Sequence, residues 1–301
     1  MNVRLAQPGD AAVLAALRLK IYPHLVRGEA ATRRLIESPP PGADMASFVA
    51  VMDSQVVGAV AARRNTRTSE PGVGELMLLH VAPAFRGRGL GGALFSAGVA
   101  HLRSLAVQRV RSYVPVDGLA FAEHRGFLPS REGRNSRLDL ATFRPSLPPV
   151  PAGYTLTPVS ALPATALYQA ELDGAADEPG DVGSEGLTFD AWRYDVWDDP
   201  GLDRSLSMAV LAPSGEVASL SLLLRDGDRA WTDMTATLPA HRGRGLARLA
   251  KTEALARAAA AGVRWAFTAN DASNAPMLAI NNRLGYQPFS TMWSCLAALT
   301  P

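Results

Sequence analysis

Two segments are equipped to hold an anion: Arg86-Gly87-Arg88-Gly89-Leu90 and Arg242-Gly243-Arg244-Gly245-Leu246, the same five residue types 156 positions apart. Glycines separated by one residue permit positive φ and close approach to the backbone, so successive N–H groups can converge on one anion. Each segment follows a strand-like run, Glu75 to Val81 or Trp231 to Thr237, and precedes an Ala/Leu-rich helical stretch. A helix starting there adds its unpaired N-terminal donors and a dipole worth about 0.3–1 kcal/mol to a charge. The arginines supply charge-assisted hydrogen bonds. The expected ligand is a pyrophosphate or a similar anion. Neither copy has the Gly-Lys-Ser/Thr of a Walker loop, and no Gly-x-Gly follows the first strand, where a dinucleotide fold requires it. The competing reading is a turn that only joins strand to helix; a second copy in the same context weighs against it.

The elements around the loops repeat with them. Pro83-Ala84 and Pro239-Ala240 share the 156-residue spacing, and Arg125-Gly126-Phe127 and Leu284-Gly285-Tyr286 end the two units 159 apart. A spacing of half the chain implies duplication of a whole domain. Four prolines in residues 145–151 make a stiff linker. The expected division is a domain at 1–144, a linker at 145–153 and a domain at 154–301. In the first half, a strand at Val3 to Ala6 precedes a helix carrying Val13, Leu14, Leu17 and Ile21 at helical spacing. A hairpin turns at Asp53-Ser54, and strand, loop, helix, strand, short helix and a last strand ending near Leu140 follow. The second half repeats this, with helices at Ala164 to Glu171 and Phe189 to Trp197, a hairpin of Ser207 to Leu211 with Val217 to Leu224, and a strand at Val263 to Thr268. Hairpins mixed with helical crossovers predict an α/β (α+β) fold with mixed sheets.

Composition narrows the function. With 48% hydrophobic and 19% charged residues the 301-residue chain reads as globular, and a net charge of +2 excludes a polyanion-coating protein as the default. The halves differ: residues 1–150 hold 19 Lys/Arg against 11 Asp/Glu, the remainder 11 against 17. Cys295 is the single cysteine, which removes an intrachain disulfide framework and a thiolate zinc cluster. The five histidines show no metal-binding helical pair, so no metal is expected. No 18-residue apolar run appears, and Met1-Asn2-Val3-Arg4 lacks a signal-peptide layout, so a mature cytoplasmic chain without membrane contact is expected. Arg63, Arg64 and Arg67 without a recognition motif do not make a nucleic-acid site.

Strand, Arg-x-x-Gly-x-Gly/Ala, helix, strand, and a short helix ending in Gly-Phe or Gly-Tyr resembles the acyl-CoA-binding core of the GNAT family of N-acetyltransferases. The resemblance covers both halves, and it implies two tandem domains. Each would have a mixed, mostly antiparallel sheet flanked by helices, with splayed central parallel strands. It implies coenzyme A, with pyrophosphate on the loop and pantetheine in the splay. The residues so implicated are Val81, Arg86, Gly87, Arg88, Gly89, Leu90 and Gly91 in the first half. In the second they are Thr235, Thr237, Arg242, Gly243, Arg244, Gly245, Leu246 and Ala247, joined by Asn270 and Asn274. Asn270 as a turn residue and Asn274 as a helix cap are the alternatives.

The resemblance also implies direct transfer of an acetyl or short acyl group from acetyl-CoA to an amine. A positioned base is typically worth about 10²- to 10⁴-fold. The strand before the loop offers Glu75 in the first half and Asp233 in the second, with outward-facing strand carboxylates as the competing reading. The family's tyrosine acid, four residues before the Gly of Gly-Phe, is replaced by Ala122 and Asn281. Asn270 and Asn274 favour the second half as the catalytic one, since the first has Pro115 at the comparable place. Between Glu171 and Asp203 stand eleven acids and one base, interleaved with Trp192, Tyr194 and Trp197. As an acceptor wall, such a segment favours a small cationic amine through Coulomb attraction and cation–π contact. A non-catalytic acyl-CoA sensor or scaffold, and an O-acyl or aminoacyl transferase, are the alternatives.

Overall fold

The computed structural model describes residues 2–299; Met1 of the opening tetrapeptide lies outside them. The first half forms β1 (Asn2–Leu5), α1 (Ala11–Ile21), α2 (Glu29–Glu37), β2 (Ala46–Met52), β3 (Gln55–Arg64), β4 (Val73–Val81), α3 (Leu90–Ser104), β5 (Arg109–Pro115), α4 (Leu119–Glu123) and β6 (Leu128–Asp139). The order then recurs as β7 (Thr155–Pro158), α5 (Ala164–Ala175), α6 (Phe189–Trp192), β8 (Met208–Leu211), β9 (Val217–Asp226), β10 (Arg229–Thr237), α7 (Leu246–Ala260), β11 (Trp265–Asp271), α8 (Ala275–Leu284) and β12 (Gln287–Ala298). The hairpin expected at Asp53-Ser54 forms with φ of 50° and 62° at those two residues, the left-handed pair that a two-residue turn between twisted strands requires.

The chain folds into two compact units that do not part at 145–153. Among the described residues, the N-terminal unit contains 2–133, 180–194 and 291–299; the C-terminal unit contains 134–179 and 195–290. The difference from the expected boundaries arises from the sheets. In the N-terminal unit β1 to β5 lie in sequence order and β5 takes β12 as its antiparallel neighbour, with Trp293 opposite Val114 and Cys295 opposite Ser112. In the C-terminal unit the order is β6-β11-β10-β9-β8-β7, and Leu140 N donates to Arg264 O at 2.9 Å. The last strand of each half thus completes the sheet built by the other half. Each sheet is mostly antiparallel with one parallel pair, β4 with β5 or β10 with β11.

The exchange also redistributes charge. The N-terminal unit holds 17 basic and 13 acidic residues and the C-terminal unit 13 and 15, a smaller contrast than that between the two halves of the sequence. Residues 180–194 carry acids into the basic unit, where Ser69 Oγ donates to Glu185 Oε1 at 2.8 Å and Arg109 Nη2 to Asp181 O at 2.9 Å.

α7 shows how the C-terminal unit positions its loop. Its Ala, Leu, Arg, Lys and Glu content favours helix, and Gly262 at φ 84° ends it just past the C-cap. Leu246, Leu249, Ala250, Ala254, Leu255 and Ala258 recur at helical spacing and are buried against β8, β9 and β10. Each buried leucine contributes about 1.5–3 kcal/mol, which fixes the helix start relative to the sheet. α3 is held against β2, β3 and β4 in the same way through Leu90, Leu94 and Leu102. No helix among the described residues is long and apolar enough to cross a membrane.

Candidate active site

In the C-terminal unit β10 and β11 pair in parallel only over Arg229–Trp265, Ala230–Ala266 and Trp231–Phe267. Thr268 Oγ1 donates to Thr232 O at 3.3 Å, and beyond that point a cavity of about 600 Å³ opens between the strands. A bulge at the same level places Asp233 and Met234 outside the β9 ladder, opposite Leu222 alone. β10 lines the cavity with Asp233 through Thr237, β11 with Thr268 through Asn270, and α8 with Asn274, Met277 and Ile280. The rim is completed by Gly174, Asp177 and Glu178 at and beyond the end of α5. Gly174 is required there, because a Cβ would stand 2.8 Å from that of Ala236.

The loop from His241 to Ala247 closes one end of this cavity. Gly243 and Gly245 both have φ 76°, with open space where a Cβ would stand, and α7 begins at the next residue. Leu246 is buried in the core, so its side chain anchors the helix and only its backbone remains for a ligand. Arg242 Nε donates to Thr237 O at 3.1 Å, while Nη1 and Nη2 meet Asp177 at 2.6 and 2.8 Å. That hydrogen bond holds the exposed Asp177 carboxyl below its usual range. A carboxylate therefore already occupies the guanidinium face that an anion would use. Arg244 instead lies over the Tyr154 ring at 6.0 Å.

Asn270 and Asn274 both line the cavity, with their carboxamides partly committed. Asn274 Oδ1 caps α8 by accepting from Met277 N at 3.3 Å, and Asn270 Oδ1 accepts from Asn281 Nδ2 at 2.6 Å. Asn281 Oδ1 in turn accepts from Lys251 Nζ at 2.7 Å. Lys251 lines the cavity one helical turn after Ala247, with 1% of its surface exposed and its Nζ 5.0 Å from the Tyr286 ring centroid. Burial lowers its pKa to about 7 and raises that of Tyr286, whose hydroxyl meets Thr232 Oγ1 at 3.2 Å. Sequence reasoning missed Lys251. The signal present was its i, i+4 relation to Ala247, a residue the loop motif had placed on the ligand side.

The N-terminal unit repeats the backbone without this polar network. β4 and β5 pair from Val73–Arg109 to Glu75–Arg111 and then diverge, a bulge puts Leu78 at φ 52°, and Gly87 and Gly89 have φ 76° and 79°. Arg86 Nε donates to Val81 O at 3.2 Å and its Nη1 lies 3.5 Å from Asp117, Arg88 reaches Met52 and Ala84, and Leu90 is core. Gly91 faces the Phe121 ring. Glu75 has 5% exposure; its Oε2 accepts from Arg63 Nε at 2.8 Å and its Oε1 from Arg111 Nη2. Burial opposes its ionisation, but the two guanidiniums outweigh that and hold the carboxyl below the ordinary range. Glu75 is the centre of an ion triad and a poor proton acceptor. Asp233, by contrast, is exposed at the cavity, with Trp231 Nε1 donating to its Oδ1 at 3.2 Å.

The expected aromatic wall does not form at the cavity. Trp192 is fully buried, Tyr194 lies under Arg34 at 3.6 Å, and Trp197 lies under Arg204 at 4.0 Å. These rings are consumed by packing and by arginines of the chain itself. Of the acidic segment, Asp177 and Glu178 do reach the rim.

Residues 16–127 and 185–286 each match the acetyltransferase (GNAT) family. No match was found among curated proteins. Among solved structures, a tandem GNAT protein from the clavulanic acid biosynthesis pathway is similar over 100% of this chain and 99% of its own, at 21% identity and TM-score 0.78. A GCN5-related N-acetyltransferase from Sphaerobacter thermophilus is similar over 100% and 96%, at 21% identity and TM-score 0.73. With both halves matched, the chain belongs to the acetyltransferase (GNAT) family as a tandem-domain member, and its fold is that of an acyl-CoA-dependent acetyltransferase.

Proposed function

We propose that the C-terminal unit binds acetyl-CoA and transfers the acetyl group directly to the amine of a small, cationic acceptor. The observation that carries this reading is the single cavity joining a two-glycine loop and helix start to the splayed strands and Asp233. The residues suit the cofactor. Backbone N–H groups of Gly243 to Ala247, with Arg242 and Arg244, would hold the pyrophosphate. Thr235, Thr237, Asn270 and Asn274 would border the pantetheine. Acetyl-CoA supplies an activated thioester carbonyl. Asp233 takes the proton of the acceptor amine, and the bulge, released from β9, offers backbone donors to the carbonyl oxygen. Asp233 and Glu178, both lining the cavity, favour a cation as acceptor. The N-terminal unit keeps the loop of Val81 and Arg86 to Gly91 in a structural or acyl-CoA-binding role. A single, buried cysteine suits a cytoplasmic enzyme.

The test is a calorimetric titration with acetyl-CoA on the wild type and on an Arg242→Ala, Gly245→Asp double variant, followed by thiol release against an amine panel. Loss of binding in the variant is expected. Unchanged affinity removes the C-terminal site, and binding without release against any amine favours a sensor.

A further inference from the structure

Lys251 is an expensive residue to bury. A charged lysine is almost never fully enclosed without a partner, yet its acceptor here is the neutral carboxamide of Asn281. Packing does not demand it. At the 156-residue spacing the N-terminal unit has Phe95, and the positions matching Asn281 and Tyr286 at the 159-residue spacing are Ala122 and Phe127. There Phe95 packs edge-to-face on Phe121 and Phe127 at 6.3 and 5.9 Å. The same backbone is thus filled by an apolar cluster in one unit and by a lysine-asparagine network that opens onto the cavity in the other.

Asn281 also stands where the resemblance calls for a tyrosine proton donor, and it presents Lys251 Nζ at that place. Resting on the acetyl-CoA reading, we propose that Lys251 is the acid of the C-terminal site, donating a proton from Nζ to the departing coenzyme A sulfur. The acceptor nitrogen forms its bond to the acetyl carbon and releases a proton to Asp233. The carbon–sulfur bond breaks, its electron pair leaves with sulfur, and sulfur takes the Nζ proton. Neutral Nζ recovers a proton from solvent, to which Asp233 passes the one it received, so the products are the amide and the thiol.

Burial brings Nζ to about 7, level with a neutral working pH and below the ordinary thiol value of about 8.5, so proton transfer from Nζ to the departing sulfur is favourable. It can therefore both hold and give up a proton at neutral pH. The other titratable groups sharing the cavity are Asp233 on β10, His241 and Arg242 on the loop, and Asp177 and Glu178 after α5, while the Tyr286 ring lies beside Nζ.

The experiment follows the ultraviolet absorbance of the thiolate of bound coenzyme A against pH, in the wild type and in Lys251→Met. Cys295 does not interfere below about pH 10, since burial first, then Glu123 and Asp181, raises its thiol to about 11. At and below about pH 7, where Nζ still holds its proton, the bound thiol of the wild type should ionise at least tenfold more readily than in Lys251→Met, because an ammonium beside sulfur favours the thiolate. Calorimetry with acetyl-CoA should give both proteins similar affinity. Lys251→Gln, which can still donate to Asn281, should behave as Lys251→Met does and serves if that variant fails to fold. Equal thiolate titration with binding retained overturns the role of Lys251 alone. Absence of acetyl-CoA binding in the wild type overturns the functional reading and this inference with it.

Discussion

Glu75→Gln tests whether the strand carboxylate of the N-terminal unit is a structural group. The carboxylate lies between Arg63 and Arg111, whose side chains are each 15% exposed against its own 7%. A carboxamide keeps the shape but removes the negative charge that Arg63 and Arg111 share, the situation for which removing one partner of a buried pair costs about 3–5 kcal/mol. For a unit of this size, about 1 kcal/mol moves the melting temperature by roughly 2–4 °C, so the variant should melt roughly 6–20 °C lower at pH 7. Because the folded carboxyl titrates below its unfolded value, its stabilisation is complete above the unfolded pKa of about 4.3 and is lost as pH falls through the folded value. The gap between wild type and variant should therefore close in acid. Replacing the whole triad by apolar residues, Glu75→Leu with Arg63→Met and Arg111→Met, should restore much of the loss, since apolar side chains of similar volume often equal a buried ion cluster. Scanning calorimetry reads all three proteins. A variant melting within about 2 °C of the wild type at pH 7, or a triple variant worse than the single, would refute the argument from uncompensated charge.

Three further outcomes are expected. Asp233→Asn should lower kcat by about 10²- to 10⁴-fold with little change in acetyl-CoA affinity, and should erase the acidic limb of the pH-rate profile. An unaltered profile removes Asp233 as base. Asp177→Asn should strengthen acetyl-CoA binding by freeing Arg242; both side chains are well exposed, so the gain is at most about 1 kcal/mol, or roughly fivefold, and should shrink with added salt. Gly245→Ala should cost about 1–2 kcal/mol, because its φ of 76° is left-handed and no neighbour obstructs the new methyl group, and the cost should appear in the melting of the C-terminal unit.

The loops, their flanking strands and helices, and the hairpin at Asp53-Ser54 were legible in the sequence because each depends on local chemistry: glycine for positive φ, periodicity for a buried face. The unit boundaries were not. Whether β6 pairs with its own half or the other is decided by long-range strand pairing, and both halves offer a β5-like edge of similar character, so nothing within residues 128–139 or 287–298 reveals the choice. The acidic segment misled for a related reason. Its aromatic residues suit a ligand wall on composition alone, but Trp192 enters the core and Tyr194 meets Arg34. Glu75 and Asp233 looked like counterparts because both are acids on the strand before the loop. At the 156-residue spacing Glu75 instead corresponds to Trp231 and Asp233 to Met77, so one carboxylate closes the parallel pairing while the other stands in the splay.

That two-residue difference bears on the two roles proposed for the two units. Both copies keep the features that the backbone must supply to approach an anion: two left-handed glycines, a helix beginning beside them, a bulge on the preceding strand and a divergence of the parallel strands. Their differences lie in side chains on those strands and on the helices that follow them. The N-terminal copy neutralises its carboxylate within a triad and fills the helix-facing space with Phe95, Phe121 and Phe127. The C-terminal copy exposes its carboxylate and has Lys251 and Tyr286 where the other has Phe95 and Phe127, with Lys251 joined through Asn281 to Asn270. An apolar cluster is the more stable filling on desolvation grounds, so the polar one is retained against a stability cost. Proteins carry such costs at sites where chemistry requires an ionisable group, which supports the proposal that the reaction takes place beside α7 and β10 of the C-terminal unit.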